Sequence, residues 1–163
     1  MQQERQQNNP DRVPPQDIKA EQSVLGAMLI NKEAVSEVAE MLNPEDFYRQ
    51  THRLIFAAML ALYGRNEAID LVTMTNELQK EGKLEDAGGV SYLTLLANVV
   101  PTAANVKYHA QIVEEKSILR QLVEGGTRIA TLGYEGAEEV KDIMDEAEKT
   151  ILRISHRKGG KDF

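Results

Sequence analysis

The sequence predicts an all-α protein: a helical globular head followed by a long antiparallel helical hairpin. Three observations carry that prediction. Apolar residues recur at intervals of three and four through most of the chain, which lines them up on single helix faces. Of 163 residues only 5% are aromatic and none is Trp, so Leu, Ile, Val, Met and Ala are left to fill the core. After Pro101 an apolar period runs on to about Leu132, and a helix of about thirty residues spans roughly 45 Å, more than a head of this size covers.

The chain divides by composition into a disordered tail (1–15), a helical head (16–101), the hairpin (102–155) and the start of a linker (156–163). Met1 to Pro15 is Gln/Asn-rich and ends in Pro14-Pro15, a segment too polar to offset its ordering entropy. Asp17 stands where a first helix begins, with Ala20, Val24, Ala27 and Met28 as its stripe and Leu25 and Leu29 beside it. Asn31 caps a second helix, Glu33 to Leu42. Asn43-Pro44-Glu45-Asp46 is the clearest start signal: a capping Asn, Pro at the first helical position and two acids at the positive end of the dipole. Thr51 caps the next helix, His52 to Tyr63, which carries Leu54, Ile55, Ala58, Met59 and Leu62 on one face and is expected at the centre of the head. Gly64 closes it. Ile69 to Val72 reads as an extended connection, followed by a helix from Met74 to Glu81 that starts at Asp70 or Thr73. Gly88-Gly89 breaks the chain before a helix with Val90, Leu93, Leu96 and Ala97 inward.

The hairpin begins at a Thr102 cap. Tyr108, Ile112, Glu115, Leu119, Leu122, Gly126 and Ile129 alternate four and three apart, with Val123 beside them. Val140, Ile143, Met144, Ala147, Ile151 and Ile154 repeat the period on the second arm, which Gly159-Gly160 ends. Gly125-Gly126 costs about 1 kcal/mol per Gly in a helix interior, so the pair marks either a close approach or a kink. Each buried Ile or Leu contributes about 1.5–3 kcal/mol, so an uncovered stripe favours association. Tyr108, Ile112, Leu119, Leu122, Val123, Gly126, Ile129, Val140, Ile143, Met144, Ala147 and Ile151 are therefore the candidate contacts between chains. Tyr92, its ring off the inward face, and Ile118, off the main stripe, are candidates for a different partner.

Composition argues against several functions. The 26 acids and 19 bases leave a formal charge of −7, the wrong sign for gripping a phosphate backbone. Without Cys there is no thiolate metal site or disulfide, which suits the cytoplasm. No apolar run reaches the roughly 18 residues of a membrane span. His52, His109 and His156 are scattered and read as surface or capping residues; no catalytic or metal residue is assigned. Gly159-Gly160-Lys161 lacks the spacing and the Ser/Thr of a phosphate loop.

Five blocks occur together: Pro14-Pro15 leading to Ala20-Glu21-Gln22-Ser23-Val24-Leu25-Gly26-Ala27-Met28-Leu29; Pro44 to Tyr48 with His52 to Leu62; Asp70 to Thr73; Gly88 to Leu93; and Pro101 to Val106 leading to Ile112 to Lys116. In this order they closely resemble the N-terminal domain of the bacterial replicative DNA helicase, DnaB type, in a Bacillus-like version. The resemblance implies a head and hairpin, six of which form a collar as a trimer of dimers with the hairpins between subunits. It implies docking of primase, with Tyr92, Ile118 and Arg120 as candidate contacts, and communication with the helicase loader. It also implies a RecA-like motor, with ATP and Mg, beyond a linker, so that this chain is not itself the enzyme and needs no cofactor. Two other readings stay open: the helicase-binding helical domain of primase, and a helix-turn-helix DNA-binding module, against which the charge argues.

Overall fold

The structure, a computed structural model, describes residues 13–99 and 105–161, with side chains as far as 157. It is all helical over those residues, as predicted: α1 (Ile18–Ile30), α2 (Lys32–Ala39), a 3-10 turn (Pro44–Asp46), α3 (Gln50–Gly64), α4 (Leu71–Lys80), α5 (Gly89–Val99), α6 (Val106–Glu135) and α7 (Val140–Lys161). The tail before Val13 and the Thr102 cap lie outside the described residues.

Local chemistry sets most boundaries. The Asp17 carboxylate accepts from Ala20 N (3.0 Å) and the Asn31 side chain from Glu33 N (2.8 Å), starting α1 and α2. Asp70 and Thr73 satisfy each other's backbone N–H at 2.9 Å, starting α4. Leu71 and Val72 are therefore helical and not part of an extended connection. Thr51 is not the cap of α3, which begins at Gln50; its hydroxyl donates instead to the Asp86 carbonyl. Gly64 is the last residue of α3, and the left-handed residue that turns the chain is Asn66 (φ 61°), a conformation Asn tolerates better than most residues. Gly88 combines φ 98° with a backbone so close to Tyr92 that a Cβ would stand 2.6 Å from Tyr92 Cβ.

The centre of the head is α1, not α3. Val24, Leu25, Gly26, Ala27, Met28 and Leu29 are buried in succession, so α1 is enclosed on all sides, packed against α2, α3, α5 and α6. Phe47, Ile55, Phe56, Met59, Met74, Leu78, Leu93 and Leu96 complete the core. Val90, expected inward, is half exposed.

The core does not stop at the predicted head boundary. Val106, Ala110 and Val113 of α6 belong to it, so the first arm of the hairpin is rooted in the head and only its distal half projects. The predicted tail and linker edges also move outward, toward the termini. Pro15 O accepts from Arg120 (2.7 Å), and α7 runs through Gly159-Gly160 to Lys161 with Arg157 held against the head.

Arg65, at the end of α3, donates to Glu67 Oε2 (3.1 Å) and to Glu77 Oε1 of α4 (2.7 Å). These bonds hold both carboxyls below the ordinary Glu range. A depressed folded-state pKa means stabilisation that is complete above the unfolded-state value and lost as pH falls through the folded one. Urea midpoints should therefore decline as pH drops below about 4.3, and Arg65→Gln should flatten that decline while leaving the slope near pH 7 unchanged.

Candidate interaction surface

Helix α6 has two faces with different environments. Val106, Ala110, Val113, Ser117 and Arg120 are spaced 4-3-4-3 and are buried against the head. Tyr108, Leu119, Leu122 and Val123 are exposed by 44–64%. Apart from Ile112, which packs against the core, the predicted stripe of α6 thus lies off the head-facing side. On α7, Val140, Met144, Ile151 and Leu152 are likewise exposed. Of the remaining predicted contacts, Gly126 is exposed and Ile112, Ile129, Ile143 and Ala147 are half-buried. Ile154, read with this stripe, faces inward instead. Single exposed apolar residues are ordinary; here they recur along both arms.

The two arms meet where a side chain is missing. A Cβ on Gly125 would stand 3.0 Å from Thr150 Cγ2 and 3.3 Å from Ile154 Cδ1, so the first Gly of the pair serves a close approach and α6 runs through it unbroken. Further out, Arg128 donates to Glu146 (3.2 Å). Gly136 in the left-handed region ends α6.

At the head end, the hairpin is pinned by the buried Asp46 carboxylate. Its Oδ1 accepts from Ser117 Oγ of α6 (2.8 Å), its Oδ2 from Asn43 N (2.7 Å) and from Arg157 of α7 (2.6 Å). Arg157 also donates to Oδ1, and this pairing holds its guanidinium more firmly protonated than usual. Arg120 donates to the Asp46 and Pro15 carbonyls, and its guanidinium lies 5.5 Å over the Tyr48 ring. Burial draws its pKa down, since a charge loses hydration there.

A second buried network adjoins the first at Tyr48. His52, read from the sequence as a surface residue, is fully buried. Its Nδ1 lies 2.7 Å from Glu21 Oε1 and its Nε2 2.6 Å from the Tyr92 hydroxyl, whose oxygen accepts from Gln22 Nε2 (3.1 Å). Glu21 Oε2 accepts from Tyr48 N (2.7 Å). The Tyr92 and His52 rings stack at 5.8 Å. The expectation of a free Tyr92 ring is thus corrected: the ring is half-buried and its hydroxyl is committed to joining α5 to α1 and α3. Arg120 is also mostly buried and spent on in-chain contacts; Ile118 is half-buried. Apart from Asn43, three residues from Asp46, sequence periodicity gives no signal for these networks, because their partners lie 27 to 111 residues apart.

Among the described residues no group of three or more His, Cys, Asp or Glu is arranged to hold a metal, and no helix is long and apolar enough to cross a membrane. The sequence pattern described as the DnaB-like helicase N-terminal domain matches residues 13–115. The chain belongs to that family. It is 53% identical over 153 residues to the replicative DNA helicase DnaC of Bacillus subtilis, covering 94% of this chain and 34% of that protein. The replicative DNA helicase DnaB of Geobacillus stearothermophilus is 52% identical over 148 residues, covering 91% and 33%. The chain therefore spans about a third of the length of these relatives. Among solved structures, the N-terminal domain of DnaB helicase from Mycobacterium tuberculosis superposes with a TM-score of 0.84 at 50% identity, covering 87% of this chain and 99% of that one. A DnaB-like replicative helicase described with its interactions with primase gives 0.71 at 28% identity, over 85% and 31%. The head-and-hairpin architecture is thus that of the family.

Removing the Tyr92 hydroxyl leaves a buried imidazole nitrogen without its hydrogen-bond partner. Tyr92→Phe should lower unfolding free energy by about 1–3 kcal/mol without changing helix content, as read by urea titration with circular dichroism.

Proposed function

We propose that this chain is the N-terminal collar domain of a hexameric replicative DNA helicase, a scaffold that assembles subunits and docks primase. The observation that carries the reading is the row of exposed apolar residues on both arms of a hairpin whose root is buried in the head. A rigid root with an uncovered outer face suits an element that packs against copies of itself. The contacts would be Tyr108, Leu119, Leu122, Val123, Gly126, Val140, Met144 and Ile151, edged by Ile112, Ile129, Ile143 and Ala147. Membership of the helicase family and the likeness to a helicase described with primase support the docking role. Ile118, half-buried on α6, remains a candidate contact for primase; Tyr92 and Arg120 would act there by shaping the head from inside. The helicase loader is a further partner, and the setting is the replisome in the cytoplasm.

The motor belongs to residues other than these. In the family ATP and Mg serve unwinding, and neither Gly88-Gly89 nor Gly159-Gly160-Lys161 has the setting of a phosphate loop. Gly88-Gly89 forms a turn without a preceding strand, and Gly159-Gly160-Lys161 lies at the end of a helix and not ahead of one. With a net charge of −7 the domain is suited to protein partners and to letting a DNA strand pass without tight contact. Primase would influence the collar through different affinities for two hairpin packings.

Sedimentation velocity across a concentration series tests this directly. The chain should self-associate, and Leu119→Asp combined with Met144→Asp should return it to monomer with its helix content intact. Addition of the primase C-terminal region should produce a faster-sedimenting complex. A monomer at every concentration that ignores primase would overturn the scaffold reading for this domain.

A further inference from the structure

Sulfur is distributed unevenly over this fold. The chain has no Cys and no Trp, which leaves its six Met thioethers as the side chains most readily oxidised. Met28, Met59 and Met74 are at most 1% exposed in the core, and Met41 is packed partly buried against it. Met1 lies outside the described residues. Met144 of α7 is 54% exposed, the most open thioether among the described residues.

Its place matters as much as its exposure. Val140, Met144, Ala147 and Ile151 are spaced four, three and four apart, so one face of α7 carries them all. Val140 and Ile151 are exposed on either side of Met144. The in-chain contacts of α7 are made by other residues: Thr150 and Ile154 meet α6 at Gly125, and Arg157 meets the head at Asp46.

A peroxide converts a thioether to a sulfoxide. The sulfur lone pair attacks one peroxide oxygen, the O–O bond breaks and an S–O bond forms, and the displaced hydroxide takes the proton of the transferred oxygen to leave as water. Sulfur loses two electrons and the peroxide gains them. A flexible apolar side chain thereby becomes a polar, chiral one. On the free chain the new oxygen is hydrated. Pressed against an apolar partner face it is stranded without a donor.

We propose that Met144 is a modification site at which peroxide oxidation to the sulfoxide blocks assembly of the chain. The inference rests on the scaffold reading, in which the α7 stripe meets a second copy. It adds an order of events: the free chain is open to the oxidant, whereas the assembled chain, with Met144 covered, is protected. A methionine sulfoxide reductase returns the free chain to its competent form.

Hydrogen peroxide treatment of the dilute folded chain, followed by peptide mass spectrometry, locates the reaction. Met144 should be oxidised roughly tenfold faster than Met28, Met59 and Met74, which react only when the core opens, with helix content unchanged. Sedimentation velocity on the same samples measures assembly. Oxidation should weaken self-association roughly tenfold or more, and methionine sulfoxide reductase should restore it. Met144→Leu is the control: whatever its own association constant, peroxide should leave that constant where it was, which separates Met144 from Met1 and Met41. At concentrations where the chain is assembled, oxidation of Met144 should slow. Self-association that survives Met144 oxidation, a loss that Met144→Leu does not prevent, or a loss accompanied by unfolding would overturn the inference and leave the scaffold reading standing. An untreated chain that never self-associates, although Met144 is still selectively oxidised, would overturn the scaffold reading and this inference with it.

Discussion

A buried carboxylate is tolerated only when donors replace the water it has lost, and Asp46 is the group on which this constraint falls hardest. Its donors come from the turn before it (Asn43), from the first arm of the hairpin (Ser117) and from the last described turns of the second arm (Arg157). Arg120 binds the carbonyl of the same residue and, through Pro15, the segment that leads into α1. Segments more than a hundred residues apart in sequence are thereby tied to one point. The hairpin is not an appendage joined by a flexible neck. Its root is part of the head, held by apolar burial at Val106, Ala110 and Val113 and by a charge that would be costly to leave unpaired.

That rooting explains why the outer face stays uncovered. A helix fixed at one end on a core cannot roll to bury a second apolar set, and α6 carries two: one in phase with Val106, the other in phase with Tyr108 and Leu119. The head takes the first. The second arm covers part of α6 at Gly125 but exposes apolar residues of its own at Val140, Met144, Ile151 and Leu152. Geometry therefore delivers a stiff projecting apolar surface without any rearrangement of the head.

Much of this was legible in the sequence. The caps Asp17, Asn31 and Asp70 act within three residues of themselves, so they can be read locally. The helices follow from periodicity, and the five blocks identify the family. The phase of α6 was harder, since two apolar sets of the same period compete and only the head decides between them. The centre of the head was misjudged for a related reason: α1 is apolar around its whole girth, so its stripe looked no stronger than that of α3. The functional polar residues were the least visible. His52, Asp46 and Arg157 match ordinary surface, first-turn and last-turn positions, and their partners are brought near only by folding. Tyr92 looked free because its spacing sets it off the inward face of α5, whereas its hydroxyl reaches past that face to His52.

The Gly pair shows how far in-chain packing can account for the sequence. Gly125 is explained within one chain, because Thr150 and Ile154 occupy the space a side chain would need. Gly126, about 100° further round the helix, is exposed and has nothing within 4 Å. Within the isolated fold, an Ala there would relieve a helix of about 1 kcal/mol of propensity cost. The fold gives no return for that cost. A close approach by the backbone or side chains of another chain would, just as α7 gives one at Gly125. Gly126 lies on the side of α6 that bears Leu119, Leu122 and Val123, where the scaffold reading places the neighbouring subunit.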